Sequence, residues 1–285
     1  KEPFHDPFLM MDIEKAVRRI LHAIHSGEHI VVYGDYDVDG MTSTTLLMKN
    51  IRALGGTVSY YIPNRFTEGY GINRAALEQL AAEGCGLLVT VDCGISSVQT
   101  VAEMTAGMDI VITDHHLPGA ALPPAYAVIN PHRADCPYPD KELAGVGVTF
   151  KLVQALWQTE EQRLYADDLD IAALGTIADL VPLIGENRKI VQAGLAHMSA
   201  RPCTGISALI RVSGCEGKAI NTGMVGFQLA PRLNAAGRIE TARSGVELLS
   251  SADASEADRL AGELNALNTE RRDLEQEILA EAKAL

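Results

Sequence analysis

The sequence predicts an α/β fold: a doubly wound, mainly parallel sheet with helices on both faces, followed by a helical subdomain and a long C-terminal connecting helix. Three observations carry this. Short, nearly continuous apolar runs at 29–34, 57–63, 86–94, 109–116 and 125–131 lack polar alternation, as strands buried on both faces require. Most are separated by stretches of helical periodicity, which implies crossover connections between parallel strands. From about residue 144 the β signals fade and helical patterns take over.

In order, "MDIEKAVRRILHAIHSG" reads as a helix and "HIVVYG" as the first strand. The helical stretch "MTSTTLLMKNIRALGG" leads to the strand "TVSYYIP", and "NRAALEQLAAEG" leads to "GLLVTVDCG". A helix over "SSVQTVAEMTAGM" then precedes the strands "DIVITDHH" and "AYAVINP". Helical segments follow at "LAGVGVTFKLVQALWQ", "DDLDIAALGTIADLVPL" and "NRKIVQAGLAHMSA". Over 254–285, Leu260, Leu264, Leu267, Leu274 and Ile278 recur at three-, four- and seven-residue spacing, the stripe of an amphipathic helix. The expected organisation is one domain over 1–250, with an α/β core at about 11–143 and a helical part at about 144–250, and a connecting helix over 251–285. Because the chain starts at Lys1 rather than Met and ends inside a helical pattern, it is expected to be a piece of a longer protein.

With 285 residues and 47% apolar content the chain can bury a sizeable core. No apolar run approaches the roughly 20 residues a membrane span needs, and the N-terminus has no signal pattern, so a cytoplasmic protein is expected. The five cysteines are scattered without a C-x-x-C pair, which argues for reduced thiols and against zinc; His132 and Cys136 lack a second pair of ligands. A formal charge of −13 speaks against nucleic acid as a partner, but its distribution does not. Residues 201–243 hold six bases and two acids, whereas 251–285 hold nine acids and four bases, so a local basic surface is compatible with an acidic chain.

The chemistry gathers at strand ends. Asp35, Asp37 and Asp39 follow the first strand, Asp92 the third, and Asp114, His115 and His116 the fourth; Asp179 is the one acid in an apolar helical stretch. Ligands of open α/β sheets bind outside the carboxyl ends of the strands, where all but Asp179 fall. Clustered carboxylates repel unless a cation or a set of donors sits among them. Carboxylates with one or two imidazoles suit Mn²⁺ or Mg²⁺ better than zinc, and two such ions about 3.5–4 Å apart clamp a phosphoester for hydrolysis. Taken singly, each residue has a plainer reading as a helix cap, a surface turn or a buried structural acid; together, at one sheet edge, they point to a metal site.

The stretches "YGDYDVDGMTST", "TVDCGIS", "ITDHH", "NPHR", "LAGVGVTFKL", "LGTIADLVPL" and "GFQLAPRLNAAGRIETA" resemble, in family order over about residues 30 to 245, the DHH phosphoesterase superfamily, and within it the bacterial exonucleases of single-stranded DNA. The last stretch separates these from pyrophosphatases and small-nucleotide phosphodiesterases. The resemblance implies 5′→3′ hydrolysis of single-stranded DNA to mononucleotides by water activated between two Mn²⁺ or Mg²⁺ ions. It implies Asp37 on one metal, Asp39, His115 and Asp179 on the other, Asp92 bridging, His116 beside the scissile phosphate, and Asp35 and Asp114 orienting neighbours. Arg232, Asn234 and Arg238, with Arg65 at the mouth, are the implied contacts to a 5′ phosphate or DNA backbone. Where pyrophosphatase-type members place a histidine ligand this chain has Tyr33, so a weaker first metal site is expected. The resemblance also implies a second domain beyond the long helix, helicase and single-strand-binding partners, and a monomer. A small-nucleotide phosphodiesterase and a non-catalytic replication scaffold are the alternative functions.

Overall fold

The computed structural model describes residues 3–64, 68–69, 71–104, 107–162, 165–239 and 242–284, with 236–239 and 284 described by backbone alone. Its first half runs α1 (Ile13–Ser26), β1 (His29–Tyr33), α2 (Val38–Ala53), β2 (Thr57–Tyr61), α3 (Arg74–Ala82), β3 (Leu87–Thr90), α4 (Val98–Glu103), β4 (Asp109–Thr113) and β5 (Ala127–Ile129). The strands form one sheet in the order β2-β1-β3-β4-β5, every pair parallel, as their uninterrupted apolar character requires.

Because successive side chains point to opposite faces, the sheet feeds two cores. Ile30, Val32, Leu87 and Val89 pack with α1 and α2, while Val31, Tyr33, Leu88 and Ile112 pack with α3 and α4. The chain thus leaves β1 for β2 by a helix on one face and returns past β1 to β3 by a helix on the other. The loops after β1 and β3 diverge at this reversal, and that gap is where a doubly wound sheet takes its ligand.

The second half is helical among the described residues: α5 (Gly145–Glu160), α6 (Leu169–Ala178), α7 (Gly185–Ala200), α8 (Thr204–Val212), α9 (Thr222–Met224), a π-helical turn Val225–Leu229, α10 (Ala230–Ile239), α11 (Arg243–Ser250) and α12 (Ala254–Ala284). It packs around α2, which touches α5, α6 and α11 as well as the sheet and is buried nearly all round. The first half of α12 buries Leu260 and Leu264 against the body, while Leu274, Ile278 and Leu279 lie largely exposed further on. No helix is long and apolar enough to cross a membrane among the described residues. All five cysteines are free thiols.

Several boundaries differ from the sequence pattern, among them those of α2 and α4. The helix expected from residue 41 begins at Val38, because Asp37 caps it by accepting a hydrogen bond from the Gly40 N–H at 3.0 Å. Asp39 therefore lies in a first helical turn rather than a loop. α4 is only six residues long, shorter than the pattern over 96–108.

A buried ion pair ties the N-terminal segment to this body. Lys151 and Glu186, both fully buried, meet at 3.2 Å; Lys151 also donates to the His5 carbonyl at 2.8 Å, and Glu186 accepts from the His5 N–H and the Tyr138 hydroxyl. Burial pulls the Lys151 pKa down despite the attraction of Glu186. Glu186→Ala leaves an ammonium in the core without its counter-charge, so a loss of about 3–5 kcal/mol is expected in urea unfolding. A loss below about 1 kcal/mol would mean that water reaches Lys151.

Candidate metal centre

Four segments bring carboxylates and imidazole to the carboxyl end of the sheet. Three overlapping groups have ligand atoms within 4.8 Å of one another: Asp35, Asp37 and Asp92; Asp39, His115 and Asp179; and Asp92, His115 and His116. Asp92 comes from the turn after β3, where it adopts a left-handed conformation with φ 59°. Asp179 caps the C-terminus of α6, with its N–H on the Gly175 carbonyl. Asp39 is fixed by the helix opposite, accepting from the Gly145 N–H (2.7 Å) and the Val146 N–H (2.8 Å) at the start of α5.

His115 Nε2 lies 3.2 Å from Asp92 Oδ1, 3.7 Å from Asp179 Oδ2 and 3.9 Å from Asp39 Oδ2. His115 Nε2, Asp92 Oδ1 and Asp179 Oδ2 are buried and make no hydrogen bond among the described residues. Three buried polar atoms converging in this way could hold a cation, and mixed carboxylate and imidazole suits Mn²⁺ or Mg²⁺.

Charge reinforces this. Burial, then repulsion from Asp37, pushes Asp35 and Asp39 up to about 7, and burial, then repulsion from Asp39, does the same to Asp179. Asp92 is pushed well above the usual carboxylate range by burial, then by Asp39 and Asp37. Burial lowers the pKa of His115 against the pull of Asp179, so a neutral ring does not offset the acids.

Raised carboxyl pKa values mean that the folded chain binds more protons than the unfolded one between about 4 and about 7. Without a cation these groups lower stability as pH rises through that window, and a divalent ion, which needs the deprotonated set, restores it above. The thermal shift produced by Mn²⁺ should therefore be much larger at about pH 8 than at about pH 5.5; equal shifts at the two values would disprove this coupling.

Asp114 has a different task. Its Oδ1 accepts from the His115 and His116 N–H groups and from His116 Nδ1 (2.7 Å), and its Oδ2 from the Ile95 N–H (2.9 Å). Burial favours its neutral form, but these donors outweigh burial and hold the carboxyl below its usual range. The bond to Asp114 raises the pKa of His116 and turns its Nε2 away from that carboxylate. Asn130, in "NPHR", secures the same turn by donating to the His116 carbonyl at 2.9 Å.

Asp35, expected to orient neighbours, also has a carboxylate oxygen within 4.8 Å of the ligand atoms of Asp37 and Asp92. Tyr33, at the position of the histidine ligand of pyrophosphatase-type members, points into the core with α3, its hydroxyl donating to the Gly71 carbonyl at 3.0 Å. Arg232, expected to clamp phosphate, has its guanidinium on Asn265 Oδ1 (2.9 Å) and on the Gln228 and Val212 carbonyls, fastening α10 to α12 and α8. Asn234 is half-buried on α10. Arg238 lies in the last turn of that helix, where only backbone is described, and Arg65 lies outside the described residues. "GVGV" opens α5 and cradles Asp39 with the Gly145 and Val146 N–H groups. A β-carbon on Gly145 would stand 2.5 Å from Asp92 Oδ1, which is why glycine is needed there.

Comparison with known proteins places this arrangement. The DHH family, N-terminal domain, matches residues 29–176. The chain is 46% identical over 280 residues to the single-stranded-DNA-specific exonuclease RecJ of Bacillus subtilis (strain 168), covering 98% of this chain and 35% of that protein. The crystal structure of RecJ in complex with Mn²⁺ from Thermus thermophilus is similar at TM-score 0.85 and 35% identity, covering 95% of this chain and 40% of that one. The crystal structure of exonuclease RecJ bound to manganese is similar at TM-score 0.85 and 37% identity, covering 98% and 70%.

Proposed function

The chain belongs to the DHH family, in its RecJ branch, and from that premise we propose that it hydrolyses phosphodiester bonds at the 5′ end of single-stranded DNA, releasing mononucleotides. The observation that carries this is the convergence of Asp92 Oδ1, His115 Nε2 and Asp179 Oδ2, buried and without donors. Asp35, Asp37 and Asp92 would hold one Mn²⁺ or Mg²⁺ ion, and Asp39, His115 and Asp179 a second, with Asp92 between them. Bound there, such ions activate water and offset charge on the phosphoryl oxygens.

The chain's own residues supply the rest. His116, its pKa raised by Asp114, carries a proton toward the phosphate and its leaving oxygen. Asp114 fixes the ring's orientation, and the α5 N-terminus fixes Asp39, so the ligand set is organised before substrate arrives. Asn234, Arg238 and Arg65 would contact the 5′ phosphate or the following backbone, a task that planar guanidinium groups suit.

The chain spans 35% of the Bacillus relative's length. We propose that it works in the cytoplasm as a monomer, with a helicase and a single-strand-binding protein as partners. A dimer in sedimentation, or hydrolysis unchanged by either partner, would count against this.

The test of function is substrate length. With Mn²⁺, a 5′-phosphorylated oligonucleotide of about 30 residues should yield mononucleotides from its 5′ end. Rapid cleavage of a dinucleotide with the long strand left intact would instead make the chain a small-nucleotide phosphodiesterase.

A further inference from the structure

Leu180 combines two unfavourable features. It follows Asp179, the cap of α6, with φ 62°, a left-handed conformation in which helices usually place glycine, and its side chain is 85% exposed. Neither backbone preference nor burial explains a leucine there. Leu117, 78% exposed, directly follows His116. The segments that carry both leucines face each other, since His115 Nε2 lies 3.7 Å from Asp179 Oδ2. On the same two segments Thr113, Asp114 and Ile177 are buried, so the exposure begins where each chain leaves the charged cluster. One exposed leucine thus stands beside the cluster on each of two segments, and a costly side chain held beside reactive groups points to a ligand.

We propose that Leu117 and Leu180 form an apolar grip for the base of the nucleotide whose phosphodiester is cut. The proposal rests on the hydrolytic function above and extends it to substrate class. A nucleotide offers phosphate to the carboxylate–imidazole cluster and a flat apolar base beside it, and two aliphatic side chains accept any base, which suits an enzyme without sequence preference. An inorganic polyphosphate has nothing to place between them.

The test compares 5′-phosphorylated single strands that begin with thymidine or with an abasic tetrahydrofuran, using the wild-type chain, Leu117→Ala, Leu180→Ala and Leu180→Gly. Mn²⁺ binding should be equal in all four. The wild type should prefer the thymidine end by about tenfold in kcat/KM, and the variants should lose about that factor on thymidine and little on the abasic end. Because glycine relieves the left-handed backbone and alanine does not, a loss shared by both Leu180 variants belongs to the side chain. A wild type indifferent to the base, or variants that lose both substrates equally, would overturn the grip. No cleavage of either strand by the wild type with Mn²⁺ bound would overturn the hydrolytic function and the grip with it.

Discussion

Replacing Asp92 with alanine is expected to lower Mn²⁺-dependent hydrolysis by on the order of 10⁴-fold, the scale seen when a reactive constellation loses a central member. Asp92 belongs to two of the three ligand groups, and its Oδ1 is also the carboxylate oxygen nearest His115 Nε2, at 3.2 Å. In the proposed ligand set its removal would take a ligand from each side, where loss of Asp37 or Asp179 would take one. Because Asp92 sits at φ 59°, alanine also adds backbone strain. Asp92→Asn places there a side chain that tolerates that conformation and removes only the charge, so it should lose nearly as much activity while unfolding, without metal, at a temperature no lower than the wild type's, because repulsion within the cluster is relieved. Activity within tenfold of wild type in Asp92→Asn would remove Asp92 from the centre.

Gly145→Ala is expected to reduce kcat by about 10²-fold, the cost of moving a reactive group by an ångström. The added β-carbon would lie 2.5 Å from Asp92 Oδ1 and 2.8 Å from its Cβ and Cγ, and no rotamer of Asp92 escapes all three contacts. Either Asp92 moves, or the start of α5 withdraws and takes its hydrogen bonds from Asp39. Gly147→Ala is the control: the nearest neighbour of its β-carbon would be the flexible Cδ2 of Leu143 at 3.2 Å, and activity should stay within about threefold. Equal effects of the two substitutions would mean that the close approach of Gly145 does not matter.

The sheet was legible because parallel strands buried on both faces leave apolar runs such as "HIVVY" and "LLVT", which need no partner to be recognised. The acids of the centre were legible for a related reason: polar residues at the ends of such runs have few structural alternatives. What was hidden depends on distant partners. That Asp39 rests on backbone N–H groups 106 and 107 residues away cannot be read from either segment alone. That Tyr33 points away from the acids follows from the pleat, which sends it into the core with α3 and leaves Asp35 where the chain has turned past the strand end. That the Arg232 guanidinium reaches Asn265, on a helix 33 residues later, is likewise invisible in the stretch that carries the family resemblance. The short helices α8 and α11, of nine and eight residues, offer too few turns for periodicity to mark their ends.

The most direct measurement of the central claim is anomalous scattering from crystals of the chain grown with Mn²⁺. Two peaks about 3.5–4 Å apart are predicted, one beside Asp35 and Asp37, the other beside Asp39, His115 and Asp179, with Asp92 reaching both. A single peak that leaves Asp92 uncoordinated, or no peak at this end of the sheet under saturating Mn²⁺, would contradict it.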